Sequence, residues 1–245
     1  MSAPSPIARQ VWNAGRALSR GMRDLSFAAP VAFVYNPMDY ARAAHRIYVD
    51  RFAASRKKAI FLGMNPGPFG MAQTGIPFGE VAMVRDWMGI ETPIKRPALE
   101  HPKRPVTGFA CTRSEVSGAR LWGAIADHWG TPEKFFADYF VVNYCPLLFV
   151  EESGRNRTPD KLPANEREPI YAACDRHLRK LVDILEPEVL VGVGAFAADR
   201  ARRTLGEEGP RIETVLHPSP ASPRANRGWK EQAEAELRAI GLCGL

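Results

Sequence analysis

The chain has 245 residues, 45% of them hydrophobic, which is enough for one large α/β core in a single domain spanning residues 1–245. Its formal net charge of +6 favours a polyanionic partner, and no apolar run approaches the roughly 18 residues of a membrane span, so no membrane partner is expected. Cys111, Cys145, Cys174 and Cys243 form no C-x-x-C pair, which argues against a zinc site or an iron–sulfur cluster and for reduced thiols.

The positive excess is local. Residues 1–60 hold ten Lys/Arg against three Asp/Glu, so electrostatic attraction is expected to concentrate in a basic, helical amino-terminal part, residues 1–57, packed on the α/β core. There Ile7, Val11, Ala14, Leu18, Met22 and Leu25 mark one face of an amphipathic helix, a better reading of this acid-poor stretch than a transit peptide. Asn36-Pro37 supplies a cap and a first-turn proline for a second helix over residues 38–54. A strand follows at 59–63, then a loop of about twenty residues to Gly79 and a short helix near 81–88. Residues 91–117 read as mostly irregular. Helical spacing returns at Leu121, Trp122, Ile125, Ala126 and Trp129, stops at Gly130 and restarts at a Thr131-Pro132 cap. Tyr139–Val142 is a second buried strand. A polar loop over 151–163 leads to a long helix at 166–185, a third strand at 189–193 and a helix ending near Leu205. The fourth strand, 212–216, precedes a last helix over 226–240. Strands alternating with helices imply right-handed crossovers: a three-layer αβα fold around a central four-stranded parallel sheet.

The long loop is the most informative stretch. Ordinary connections run roughly 4 to 6 residues, whereas this one alternates Gly63, Gly67, Gly70, Gly75 and Gly79 with Pro66, Pro68 and Pro77 and carries Phe69, Met71 and Phe78. Glycine lets backbone approach a ligand and proline holds that backbone rigid, so the loop reads as a pocket wall at the carboxyl end of a strand. Asn65, Asn143 and His217 each follow an apolar strand, and parallel strands would bring all three to one edge of the sheet. A second stretch, His217 to Trp229, has three prolines in its first half, then Arg224 and Arg227. It suits a rigid segment pressed into a nucleic-acid groove, with Ser219 and Ser222 on phosphates.

With both stretches in view, the chain resembles the single-strand-selective monofunctional uracil-DNA glycosylases within the uracil-DNA glycosylase superfamily. The residues that carry the resemblance are Gly63-Met-Asn-Pro-Gly-Pro-Phe-Gly-Met-Ala-Gln-Thr-Gly75 with Pro77-Phe78-Gly79, then Asn143, then His217-Pro-Ser-Pro220. The resemblance implies a DNA-repair enzyme that flips uracil, and 5-hydroxymethyluracil, out of single- or double-stranded DNA and hydrolyses its N-glycosidic bond. In it Asn65 positions the hydrolytic water and His217 hydrogen-bonds the uracil O2. Asn143 reads the base edge, Phe78 stacks on the base, and Gly67 and Met71 shape the space beside C5; Gly63 and Met64 complete the substrate wall. Ser219, Pro220, Ala221, Ser222, Arg224 and Arg227 contact DNA. Where the resemblance implies a large basic wedge residue after His217-Pro-Ser-Pro220, this chain has Ala221, and Arg224 is the candidate replacement. No lysine stands in either motif, so hydrolysis without a Schiff-base step is expected. No metal or cofactor is called for. A monomer is expected, with a nucleoid-associated place in the cytoplasm of a bacterium or a nuclear one in a eukaryote. Two other readings are a silent nucleic-acid-binding module that senses damaged bases, and a dinucleotide fold suggested by Gly192-x-Gly194 but lacking the rest of its fingerprint.

Overall fold

The computed structural model describes residues 3–242, so Cys243 lies outside the described residues. The amino-terminal amphipathic segment forms α1 (Pro6–Gly21), whose cap is Ser5, its hydroxyl accepting the Ala8 N–H at 3.0 Å. Val11, Leu18 and Met22 are buried, as their spacing predicts. An unforeseen strand, β1 (Val31–Tyr35), follows. The single helix expected over 38–54 is two, α2 (Pro37–Tyr40) and α3 (Arg42–Phe52), divided at Ala41. Asn36 is not the side-chain cap expected of it. Its amide instead donates to the Ser19 carbonyl and hydroxyl at 3.2 and 3.1 Å, tying this region to α1.

β2 (Ala59–Gly63) discharges into the long loop, which contains one helical turn, α4 (Met71–Thr74); the short helix expected near 81–88 is a π-helical turn, Met83–Trp87. Next come α5 (Val116–Trp129), α6 (Pro132–Asp138) and β3 (Tyr139–Asn143). Thr131 precedes α6 without a side-chain capping bond. β4 (Leu148–Glu151) and β5 (Asn156–Arg157) lead to α7 (Ala164–Leu185), β6 (Val189–Val193), α8 (Ala195–Leu205), β7 (Arg211–Val215) and α9 (Trp229–Ala239).

β3, β2, β6 and β7, in that order, make the expected parallel sheet. Its inner strands β2 and β6 are buried at every position because helices cover both faces, whereas β7 lies at an edge and keeps Arg211 and Thr214 exposed. α8 packs on β6 and β7, and α7 on α8 and α1; α9 packs on β7 and α5, and α6 on β3. Gly192 admits α8 closely, since a Cβ there would stand 2.4 Å from the Ala198 amide nitrogen, so Gly192 serves helix packing. Gly63 pairs with Asn143 across β2 and β3, and Val193 with Val215 across β6 and β7, which levels the carboxyl ends of all four strands.

A second sheet corrects the sequence reading. β1, β4 and β5 form a three-stranded antiparallel sheet, with Tyr35 opposite Leu148 and Val150 opposite Asn156, so the loop expected over 151–163 contains part of a hairpin. These strands are two to five residues long, and β1 meets its partner only across more than a hundred residues of chain, which leaves little periodicity to detect.

Candidate active site

The carboxyl ends of the parallel strands open into a cleft of about 540 Å³ lined by Met64, Asn65, Gly67, Phe69, Phe78, Asn143, His217, Ser219 and Pro220, among others. Its volume is in the range of small-molecule pockets. The loop forming one wall is braced throughout. Gln73 donates to the Pro68 and Pro105 carbonyls at 2.8 and 3.0 Å and accepts from the Thr107 and Gly108 amides at 2.9 and 3.1 Å, satisfying its whole side chain. Thr74 donates to the Gly79 carbonyl at 3.0 Å, and Trp122 to that of Pro77 at 3.2 Å. These two bonds straddle Phe78, whose φ of 52° is unusual for a residue with a side chain. Holding it there costs on the order of 1 kcal/mol, which the surrounding bonds offset. The result is a buried ring set 5.9 Å, centroid to centroid, from the imidazole of His217.

Gly63 explains how two groups fit over one strand end. A Cβ on it would lie 2.3 Å from Asn143 Oδ1 and 2.6 Å from the Phe78 ring, so only glycine leaves both in place. The Asn143 amide is oriented by Met71: Nδ2 donates to the thioether sulfur at 3.3 Å, and sulfur can only accept. Asn65 is fixed the same way. Its Nδ2 donates to the Leu147 carbonyl at 3.1 Å, which turns Oδ1 away from that contact as an acceptor. His217 stands two residues past β7, where burial lowers its pKa to about 4, so the ring is neutral at pH 7 and retains one N–H donor.

The segment after His217 divides. Ser219 and Pro220 line the cleft, while Ala221 is exposed beyond it. Both serine hydroxyls are engaged within the segment, Ser219 accepting the Ala221 amide at 3.1 Å and Ser222 the Ala225 amide at 3.3 Å. Arg224 does not reach into the space beside Ala221. Its guanidinium bonds Gln232 at 3.0 Å and Glu236 at 2.7 Å, both on α9. Arg227 is exposed. Arg120 of α5 ties the segment down through the Pro218 carbonyl at 3.2 Å and Asn226 Oδ1 at 2.9 Å, and Asn226 in turn donates to the Pro220 carbonyl at 2.9 Å. The basic amino-terminal part lies outside the cleft lining, and five of its arginines, at 16, 23, 46, 51 and 56, are in ion pairs.

Sequence reasoning missed part of the cleft. Arg113, Ser114 and Glu115 line it from just before α5 and Ser117 from its first turn, Asn156 from β5 and Thr158 from just after it. The Glu115 carboxyl is packed against the glycine loop: a Cβ on Gly70 would come within 2.1 Å of Oε2, and one on Gly67 within 3.2 Å. Burial raises its pKa to about 7, against the pull of the Gly118 and Ser117 amides and the Ser117 hydroxyl. The one available signal was a charged pair, Arg113 and Glu115, directly before a helical apolar pattern, and pattern alone does not say that such a turn folds back onto a loop forty residues earlier.

Comparison with known proteins agrees with this geometry. Residues 49–238 match the family described as the Uracil DNA glycosylase superfamily. The chain is 49% identical over 245 residues to the single-strand selective monofunctional uracil DNA glycosylase of Bos taurus, covering 99% of this chain and 90% of that one. It is 51% identical over 230 residues to the Mus musculus protein of the same name, with 93% and 82% covered. Among solved structures, the crystal structure of wild-type Pedobacter heparinus SMUG2 superposes with a TM-score of 0.68 over 96% of this chain and 97% of that one; at 19% identity it speaks for the fold alone. The chain therefore belongs to the uracil-DNA glycosylase superfamily.

Proposed function

We propose that this protein excises uracil from DNA by hydrolysing the bond between the base and the deoxyribose. The observation that carries the reading is the convergence of Asn65, Phe78, Asn143 and His217 in one cleft at the carboxyl ends of the parallel strands. Inside a duplex the glycosidic bond and the base edge are out of reach, so the nucleotide must leave the stack and enter the cleft. There Phe78 offers a ring face, and Asn143 can donate to O4 and accept from N3–H. As the C1′–N1 bond breaks, its electron pair passes to the base and negative charge builds on O2. The neutral N–H of His217 stabilises that charge as a preorganised donor. The sugar becomes cationic early, so a water held by Asn65 Oδ1 needs orientation more than deprotonation before it adds to C1′; the proton it then sheds to solvent is balanced by the one the uracil anion takes up.

The same reading takes in 5-hydroxymethyluracil, whose hydroxymethyl group would lie toward Gly67 and the Glu115 carboxyl packed on it, with Met71 buried and bonded to Asn143 rather than lining the cleft, and both single- and double-stranded DNA. It assigns DNA contacts to the 219–227 segment, and holds the protein to be a monomer acting wherever the genome lies. Incubation with a uracil-containing single strand in EDTA is expected to leave an abasic site that breaks only on later alkali treatment. Breakage without alkali, or loss of activity in EDTA, refutes the proposed hydrolysis. Binding without turnover would instead mark a silent damage sensor. His217→Ala is expected to lower the rate by roughly 10² to 10³, the scale of one oxyanion donor.

A further inference from the structure

The cleft rim carries a charged feature that the excision chemistry does not use. Phe69 projects from the braced loop between Pro68 and Gly70, and the Arg113 guanidinium lies over its ring with its central carbon 3.9 Å from the centroid. Arg104 lies over the same ring at 5.3 Å. Arg113 is exposed, lines the cleft, and has no carboxylate within ion-pair distance among the described residues. That sets it apart from Arg224, held by Glu236, and from the ion-paired arginines of the amino-terminal part. The backbone under Arg104 is fixed as well, for Tyr35 donates its hydroxyl to the Arg104 carbonyl at 2.8 Å and accepts the His101 amide at 2.7 Å.

We propose that Arg113, stacked on Phe69 and flanked by Arg104, is a binding site for a DNA backbone phosphate beside the nucleotide drawn into the cleft. The ring is already covered by a guanidinium at contact distance, so it does not serve as an open platform for a neighbouring base. A guanidinium over an aromatic face can keep N–H groups turned outward, and its paired N–H edge matches two oxygens of a phosphodiester. The stack also restricts the arginine before DNA arrives, which lowers the ordering cost of binding. On this view the strand is held at two places on the cleft lining, the 219–220 segment and the arginine stack.

The site rests on the uracil-excision reading only for the position of the nucleotide, and the two can fail separately. Arg113→Gln, Arg113→Lys and wild type are compared by fluorescence anisotropy on an ordinary uracil-free single-stranded oligonucleotide across salt concentrations, and by steady-state excision on the uracil-containing strand. Arg113→Gln is expected to weaken anisotropy binding roughly tenfold and to lower the salt slope by about 0.7, the loss of one phosphate contact on a single strand. KM for excision rises in parallel while kcat stays within about twofold, since the contact is equal in ground and transition states. Arg113→Lys restores the slope but only part of the affinity, because an ammonium does not stack flat on the ring. Unchanged affinity and slope in Arg113→Gln overturn the phosphate site, as does a fall in kcat with KM unchanged. If wild type binds and shows the slope difference from Arg113→Gln yet excises nothing, the phosphate site stands and the excision reading falls.

Discussion

Glu115→Gln gives the most direct physical test of the cleft wall. In the unfolded chain the carboxyl titrates near 4.5, and in the folded protein burial moves it to about 7, with Glu80 adding a smaller upward push. Between those values the folded state keeps a proton that the unfolded state has lost. The stability this contributes is fully present below about pH 4.5 and is lost as pH rises through 7. A rise from 4.5 to about 7, at about 1.4 kcal/mol per pH unit, makes the effect about 3 to 4 kcal/mol. His45, His177 and His217 work in the opposite direction, for burial lowers each to about 4, so that the unfolded chain takes up their protons first as pH falls below 6.5. The wild-type curve of stability against pH therefore mixes both trends, and only its difference from the variant isolates Glu115. Glutamine imitates the protonated acid and does not titrate. Urea unfolding followed by tryptophan fluorescence is expected to find wild type and Glu115→Gln alike near pH 4.5, and the variant more stable by about 3 to 4 kcal/mol near pH 8. Parallel curves across that range would refute a buried, proton-holding carboxyl against the glycine loop.

Three further substitutions probe the site. Asn143→Asp replaces a donor–acceptor pair by acceptors alone, so uracil excision should fall by roughly 10-fold or more and weak cytosine excision appear on single-stranded oligonucleotides, each mismatched buried group costing about 1 to 3 kcal/mol; undiminished uracil excision would remove Asn143 from base reading. Ala221→Arg should raise activity on double-stranded uracil more than on single-stranded uracil, because only the duplex must unstack, and equal gains on both would indicate plain phosphate attraction. Gly63→Ala places a methyl group 2.3 Å from Asn143 Oδ1 and 2.6 Å from the Phe78 ring. It should lower excision by roughly 100-fold while costing about 1 to 3 kcal/mol of stability, and a fully active, equally stable variant would show that neither group needs its present position.

What was legible in the sequence, and what was not, follows the range of the forces involved. β2 and β6 stand out as short uninterrupted apolar runs because both faces of an inner parallel strand are covered, and that burial is written locally in AIFLG and VLVGV. Asn65, Asn143 and His217 could be brought together because parallel strands share one direction, so position after a strand is already position in space. The second sheet escaped because β1, β4 and β5 are short and polar in part, and their pairing is decided by tertiary contact. The resting place of Arg224 was illegible for a similar reason. Nothing in HPSPASPRANRGW says that the side chain turns back to Gln232 and Glu236 on the following helix.

Glu115 and Arg113 mark the same boundary from the functional side. They stand just before α5, in a region of mixed charge without periodicity, yet their side chains reach the same loop: the carboxyl meets Gly67 and Gly70, and the guanidinium covers Phe69 between them in sequence. A loop with no charge of its own thus receives both an anion-capable group and a cation. The glycine matters to the carboxyl contact, since a Cβ at Gly70 would come within 2.1 Å of Glu115 Oε2 and displace it. The Gly/Pro spacing that carries the family resemblance is therefore also what lets the start of α5 close the cleft wall, so the two stretches are physically coupled and substitutions in one should alter the other.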